Sequence, residues 1–173
     1  MDKYKTFWPR LFALIVDGLI LELIDKLINL IPSFNSSLIL IMITIISSNI
    51  PYVYSILMLG KYGQTLGKMV FNIKVVDNLT ENKIGYYQAF MRDIIPIFLL
   101  NICLITSNII TSGVDSESFE FSVLGYIILA VPALMLLLWS ITEIITMLFN
   151  PKNRALHDIV AKTVVIWTDN KQR

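Results

Sequence analysis

Arg10 and Asp17 stand seven residues apart in TFWPRLFALIVDGLILELIDKLI, residues 6–28. On a helix that spacing returns to one face, ~10 Å along the axis. A carboxylate deep in an apolar helix costs ~3 kcal/mol on insertion scales. It is therefore met by an inward-facing partner, or it lines a path for an ion or substrate. Both readings are open for Asp17. Arg10, at the start of the run, also reads as an interfacial anchor. Glu22 and Lys26 are in the favourable i,i+4 order, with Asp25 beside them, which points to a structural pair near the far end of the helix.

Two other residues could answer Asp17. Asn49 ends the polar step Ser47–Ser48–Asn49 ahead of Pro51, and a proline frees a carbonyl about one turn earlier. Glu143, near the end of the last apolar run, lies about as deep as Ala13 when both are counted from the basic ends of their runs. One arginine would then face two acids. A surplus acid in a low-dielectric site can exchange a proton or hold a cation.

Other chemistry is poorly supported. GQTLGK, residues 63–68, has three residues between its glycines, and Met69 follows the lysine. A phosphate loop needs four residues there, then serine or threonine after the lysine. His157 and Asp158 are adjacent and diverge by ~100° on a helix, so they are not a ready-made dyad. The single cysteine, Cys103, and the single histidine argue against a zinc site. No nucleophile–base set, zinc-protease helix or spaced carboxylate pair is present. We expect no enzyme activity, no catalytic residue, no cofactor and no metal. A net charge of +1 gives no footing for nucleic acid.

The elements that must position these residues are helices in a membrane. Of the 173 residues, 55 % are hydrophobic and 16 % charged, with a mean hydropathy of +0.69. A soluble domain has about 25 % charged residues. Four apolar runs, about 11–31, 38–59, 94–112 and 121–149, are long enough to span. Lys3, Lys5 and Arg10 precede the first. Lys61, Lys68, Lys74, Lys83 and Arg92 fall in the loop 60–93. Lys152, Arg154, Lys162, Lys171 and Arg173 follow the fourth. The connections IPSFNSS and SGVDSESFE have no basic residue. Both termini and the loop 60–93 are therefore expected on the cytoplasmic side. The first run is broken by Asp17 and lacks a small-residue cleavage site, so it is expected to stay in the mature protein.

KMVFNIKVV is β-branched and partly alternating, and TVVIW is a second strand candidate. They are predicted to pair, about 69–76 with 163–167, with NKIG closing a hairpin. GYYQAFMRD reads as a short amphipathic helix, and so does RALHDIVA. No internal repeat is visible, which argues against an inverted-repeat transporter.

In order and spacing, Arg10, Asp17, GQTLGKMVFNIKVVD, YYQAFMRD and RALHDIVAKTVVI resemble the RDD family of integral membrane proteins, over about residues 5–167. The family is named for one arginine and two aspartates. By motif these map to Arg10, Asp17 and the Asp158 of LHD, and Gly67, Lys68, Arg92 and His157 fall in its cytoplasmic motifs. The acidic end of the first helix, Glu22 to Lys26, departs from the pattern. The resemblance implies transport of ligands not yet assigned, with sodium/proton exchange in some members.

The fold expected is all-α: a single transmembrane domain over 5–167 with four spans, a small cytoplasmic β element and a polar tail, 168–173. The function expected is a small transporter, or transporter subunit, for a cation or small solute in the cell membrane. Arg10, Asp17, Asp158, Glu143 and Asn49 would form its path or its structural ion pairs. Four helices are few for a complete pathway, so a homo-oligomer or a partner membrane protein is expected in the bilayer. The alternative is a non-transporting scaffold that binds a partner.

Overall fold

The computed structural model describes residues 3–28, 37–113 and 119–168. The chain forms α1 (Phe7–Ile28), α2 (Ser37–Tyr62), α3 (Leu66–Val70) and β1 (Ile73–Asp77), followed by α4 (Tyr86–Gly113), α5 (Phe119–Phe149), α6 (Leu156–Val160) and β2 (Thr163–Trp167). The expected outer connections around Ser36 and Ser116 lie outside the described residues, as does most of the tail.

Among the described residues, three helices are long and apolar enough to cross a membrane, over Ile41–Tyr62, Tyr86–Asn108 and Gly125–Phe149. Their prolines, Pro51, Pro96 and Pro132, sit inside unbroken helix, as membrane helices allow. α1 has 22 residues, ~33 Å of helix, but it carries more charge than the other three. Large apolar side chains such as Leu14, Leu19, Phe98 and Leu137 point outward. Lipid, not a protein core, is the natural cover for such a surface. GYYQAFMRD, expected as a short amphipathic helix leading into the third span, contains the first turns of α4. Nothing breaks the chain after Tyr86, so the helix runs on through Pro96.

The buried core lies instead around the sheet. β1 and β2 pair antiparallel, with Val75 opposite Val165 and Ile73 opposite Trp167. One face holds Ile73, Val75 and Val165, packed on Ala13, Leu59, Ile84 and Ala89 from the helix ends and the loop before α4. The other holds Val76, Val164 and Ile166, covered by Tyr4. A lone two-stranded sheet is marginal in water; cover on both faces is what makes this one possible. Val76 also bridges to Lys83, the hairpin predicted around NKIG.

The first strand starts later than predicted. Lys68, Met69 and Val70 belong to α3, whose N-cap Thr65 accepts the Lys68 N–H. Asn72, at φ 54°, then turns the chain into β1.

The structure also holds a repeat that the sequence does not reveal. LGKMVFNIKVVD (66–77) and LHDIVAKTVVIW (156–167) both run as short helix, left-handed residue and strand. Asn72 and Lys162 hold the same place, at φ 54° and 55°. The caps Thr65 and Ala155 share ψ values of 170° and 168°. Val75 faces Val165, its own counterpart, so a local two-fold passes through that pair. Each unit follows two long helices, and α1 packs on α3 as α4 packs on α6. Only Leu66/Leu156, Val70/Val160 and Val75/Val165 are identical. Backbone course is conserved here with hardly any side-chain identity.

Candidate functional site

α6 is too short to hold together in isolation, and its N-cap is an alanine. Asp158 stands in as the cap, with Oδ2 accepting the Ala155 N–H at 3.1 Å. The same carboxylate joins both arginines that begin the long helices of the two halves. Arg10 Nη1 donates to Oδ2 at 2.6 Å, and Arg92 Nη1 lies 2.9 Å from Oδ1. Thr163 Oγ1 donates to Oδ1 at 3.2 Å and accepts from Arg92 at 3.1 Å. Arg10 Nε donates to Thr6 Oγ1 at 3.1 Å. Arg154 braces the backbone carbonyls of Thr163 and Asp158. Side-chain exposure is 0 % for Asp158, 4 % for Arg92 and 9 % for Arg10. Burial alone pushes the Asp158 carboxyl up. Arg92 and Arg10 outweigh it and hold the group well below the usual carboxylate range.

Asp17 has other partners than those the sequence suggested. Neither Arg10 nor Asn49 holds it. Tyr54 Oη of α2 donates at 2.9 Å, Thr65 Oγ1 at 2.5 Å and the Gly67 N–H at 2.8 Å. Tyr54 Oη in turn accepts the Leu66 N–H at 2.9 Å. The carboxylate thus satisfies the start of α3, where helix N–H groups lack partners of their own. Gly67 is required for this approach: a Cβ there would stand 2.2 Å from the Ala13 carbonyl oxygen and 2.9 Å from Asp17 Cγ. Beside it, burial lowers the Lys68 ammonium to about 8; Arg92 adds to the effect, while Asp17 and Asp93 oppose it.

Glu143 and His157 meet at the end of α5. His157 Nδ1 lies 2.6 Å from Glu143 Oε1, and Nε2 lies 2.9 Å from Arg92 Nη2. An arginine can only donate, so Nε2 accepts and the ring proton sits on Nδ1, facing the carboxylate. His157 and Glu143 are 24 % and 25 % exposed, so this arm opens outward where the Asp158 centre is sealed. Asn49 pairs with Asn101 of α4. Each Nδ2 donates to the other's Oδ1, at 3.1 and 3.0 Å, and also to its own helix. Between α1 and α2 a cleft of about 280 Å³ is lined by Glu22, Asp25, Ser47, Ser48 and Pro51 among others.

Arg10, Asp158, Arg92, His157 and Glu143 therefore form one network at the sheet end. Asp17, Gly67 and Lys68 form a second beside it, and Asn49 lies apart on the α2–α4 seam. Sequence reasoning missed Tyr54, Thr65, Asp93, Asn101 and Thr163. Thr65 carried a signal, a hydroxyl residue just before a helix start. Asn101 carried another, an amide set in the middle of an apolar run. Among the described residues no group of three or more histidine, cysteine, aspartate or glutamate side chains could hold a metal ion.

Comparison with curated proteins and with solved structures found no match. The RDD family matches residues 4–162. That range takes in Arg10 and Asp17 and the Asp158 that Arg10 grips. This chain belongs to the RDD family of membrane proteins.

Proposed function

We propose that the protein is a non-catalytic, multi-pass component of the cell membrane. In this reading α1 is a fourth span, the sheet end and both termini are cytoplasmic, and the chain moves a cation or small solute, alone as a homo-oligomer or with a partner membrane protein. The observation that carries the transport reading is the reciprocal Asn49–Asn101 amide pair between two apolar helices. Polar side chains at membrane depth are expensive, and in this reading the pair serves a pathway as well as the packing of α2 on α4. The pair sits on the seam between the two halves of the chain, and transporters built from repeats hold substrate at such interfaces. The partly exposed Glu143–His157 pair supplies a polar opening at the sheet end.

Purified protein in liposomes tests this directly. Sodium-driven and proton-driven fluxes are expected in wild type and lost in Asn49→Leu/Asn101→Leu, which removes both amides together. Wild type without flux of sodium, potassium or protons would reject the reading. The two-sided topology is checked by placing a cysteine at Asn78 in a Cys103→Ala background. An impermeant thiol reagent should reach it from the cytoplasmic side only.

A scaffold that docks a partner is the second reading. It is favoured by the sealed Arg10–Asp158–Arg92 centre, in which two arginines of different helices are tied to one acid of the same chain. A flux-dead protein retrieved with one fixed membrane partner would support it.

A further inference from the structure

Among the described residues, the acids of the helix ends are answered by the chain's own donors. Asp17 accepts from Tyr54, Thr65 and the Gly67 amide. Asp158 has two arginines. Glu143 has His157. Asp93 is different: its Oδ2 is buried and receives no hydrogen bond. An ionised carboxylate oxygen left so would be costly. A charge of opposite sign, held there for part of the time, removes the cost.

We infer that Asp93 is the loading carboxylate of the α2–α4 seam, where a hard monovalent cation, proton or sodium, binds from the sheet end. This rests on the transport reading and gives it a site. Asp93 lies eight residues before Asn101 on α4, ~12 Å along the axis, so a cation held there stands between the loop side and the amide pair. Other oxygens are at hand. Pro96 has no N–H, which leaves the Arg92 carbonyl, next to Asp93, without its helical donor. From α2, Tyr52 lies within electrostatic range of both Asp93 and Glu143. From α3, Lys68 feels Asp93, Asp17, Arg92 and Arg10 together. Because burial holds Lys68 near 8, it can release its proton when a second positive charge arrives beside it. On α6, His157 stands on Arg92. Competition between Lys68 and the incoming cation for Asp93 would couple loading to pH.

The test reads binding, which needs no flux. Full-length protein in detergent is melted in sodium chloride against choline chloride at equal ionic strength. In parallel it is treated with dicyclohexylcarbodiimide, which modifies protonated carboxyls in apolar surroundings, and mapped by mass spectrometry. Asp93 is expected to be labelled several-fold faster than Asp25. If sodium is the ligand, it also slows labelling and raises Tm, and Asp93→Asn loses the sodium response while Asp25→Asn keeps it. Fast labelling with no sodium response identifies the proton. A sodium response undiminished in Asp93→Asn would overturn the site. So would wild-type Asp93 that labels no faster than Asp25 at any pH, and this arm holds even if the variant does not fold. Binding at Asp93 without flux would instead sink the transport reading and leave the site standing.

Discussion

The two halves of the chain use one backbone device and charge it in opposite ways. In the first half the acid sits on the long helix: Asp17 of α1 reaches over to satisfy the start of α3. In the second half it sits on the short helix: Asp158 caps α6 itself and is gripped by Arg92 of α4. Lys68 occupies in α3 the place that Asp158 occupies in α6. The arginines that open the two halves, Arg10 and Arg92, converge on that single acid. Symmetry of the backbone is thus broken by charge, and the break ties the first half to the second. Nothing equivalent returns from Asp17, whose three partners all lie within its own half.

From that asymmetry, the largest effect should follow loss of Asp158. Asp158→Ala would leave two buried arginines unanswered, and we expect a loss of about 3–5 kcal/mol in detergent unfolding. Arg10→Ala alone should cost less, because Arg92 still faces the acid. The double variant should fall short of the sum, as contact requires. Strict additivity between Arg10 and Asp158 would separate the two halves again.

The next effect belongs to the first half alone. Gly67→Ala drives a methyl into the backbone of α1 and should cost about 1–3 kcal/mol by overpacking. Asp17→Asn keeps the shape but turns an amide group toward donors, and an unsatisfied donor there costs about 1–3 kcal/mol. Protease cutting in residues 60–85 should speed up in both. The same cutting should change little in Arg92→Lys, where a positive charge still faces Asp158. Equal cutting in all three would mean that the halves are not separate latches.

A smaller, pH-dependent effect tests Lys68. Its folded value of about 8 lies below its ordinary 10.5, so between those pH values the unfolded chain binds the extra proton. Stability should therefore rise with pH across that window and stay flat below it. Lys68→Met should abolish the rise and melt higher than wild type at pH 7. A wild-type curve with no slope between pH 8 and 10 would show that Lys68 keeps its ordinary basicity.

The smallest effect is expected at the Glu22–Lys26 pair. Both side chains are exposed, and such pairs contribute little. Lys26→Ala should leave Tm unchanged within error in detergent. A clear drop would place that end of α1 deeper in an apolar surrounding.

Much of this was written in the sequence. Apolar runs of spanning length fixed α2, α4 and α5, because hydrocarbon demands unbroken helix over ~20 residues. The β-branched stretches announced β1 and β2, and the motif set announced the family. Arg10, Asp17 and Asp158 stood out because charge is rare in such a composition. What only the tertiary structure decided is who meets whom. Seven-residue spacing put Arg10 and Asp17 on one face, yet each found a partner from another element. Helical spacing sets direction, not reach, and donors from α2, α3 and α4 lie far off in sequence. The same holds for Asn49, answered by an amide fifty-two residues on, and for the repeat. Two units share a course when turn, cap and packing are alike, and side-chain identity hardly enters. A single sequence spells out composition and period; pairings across the fold are set by which surfaces the packed helices bring together.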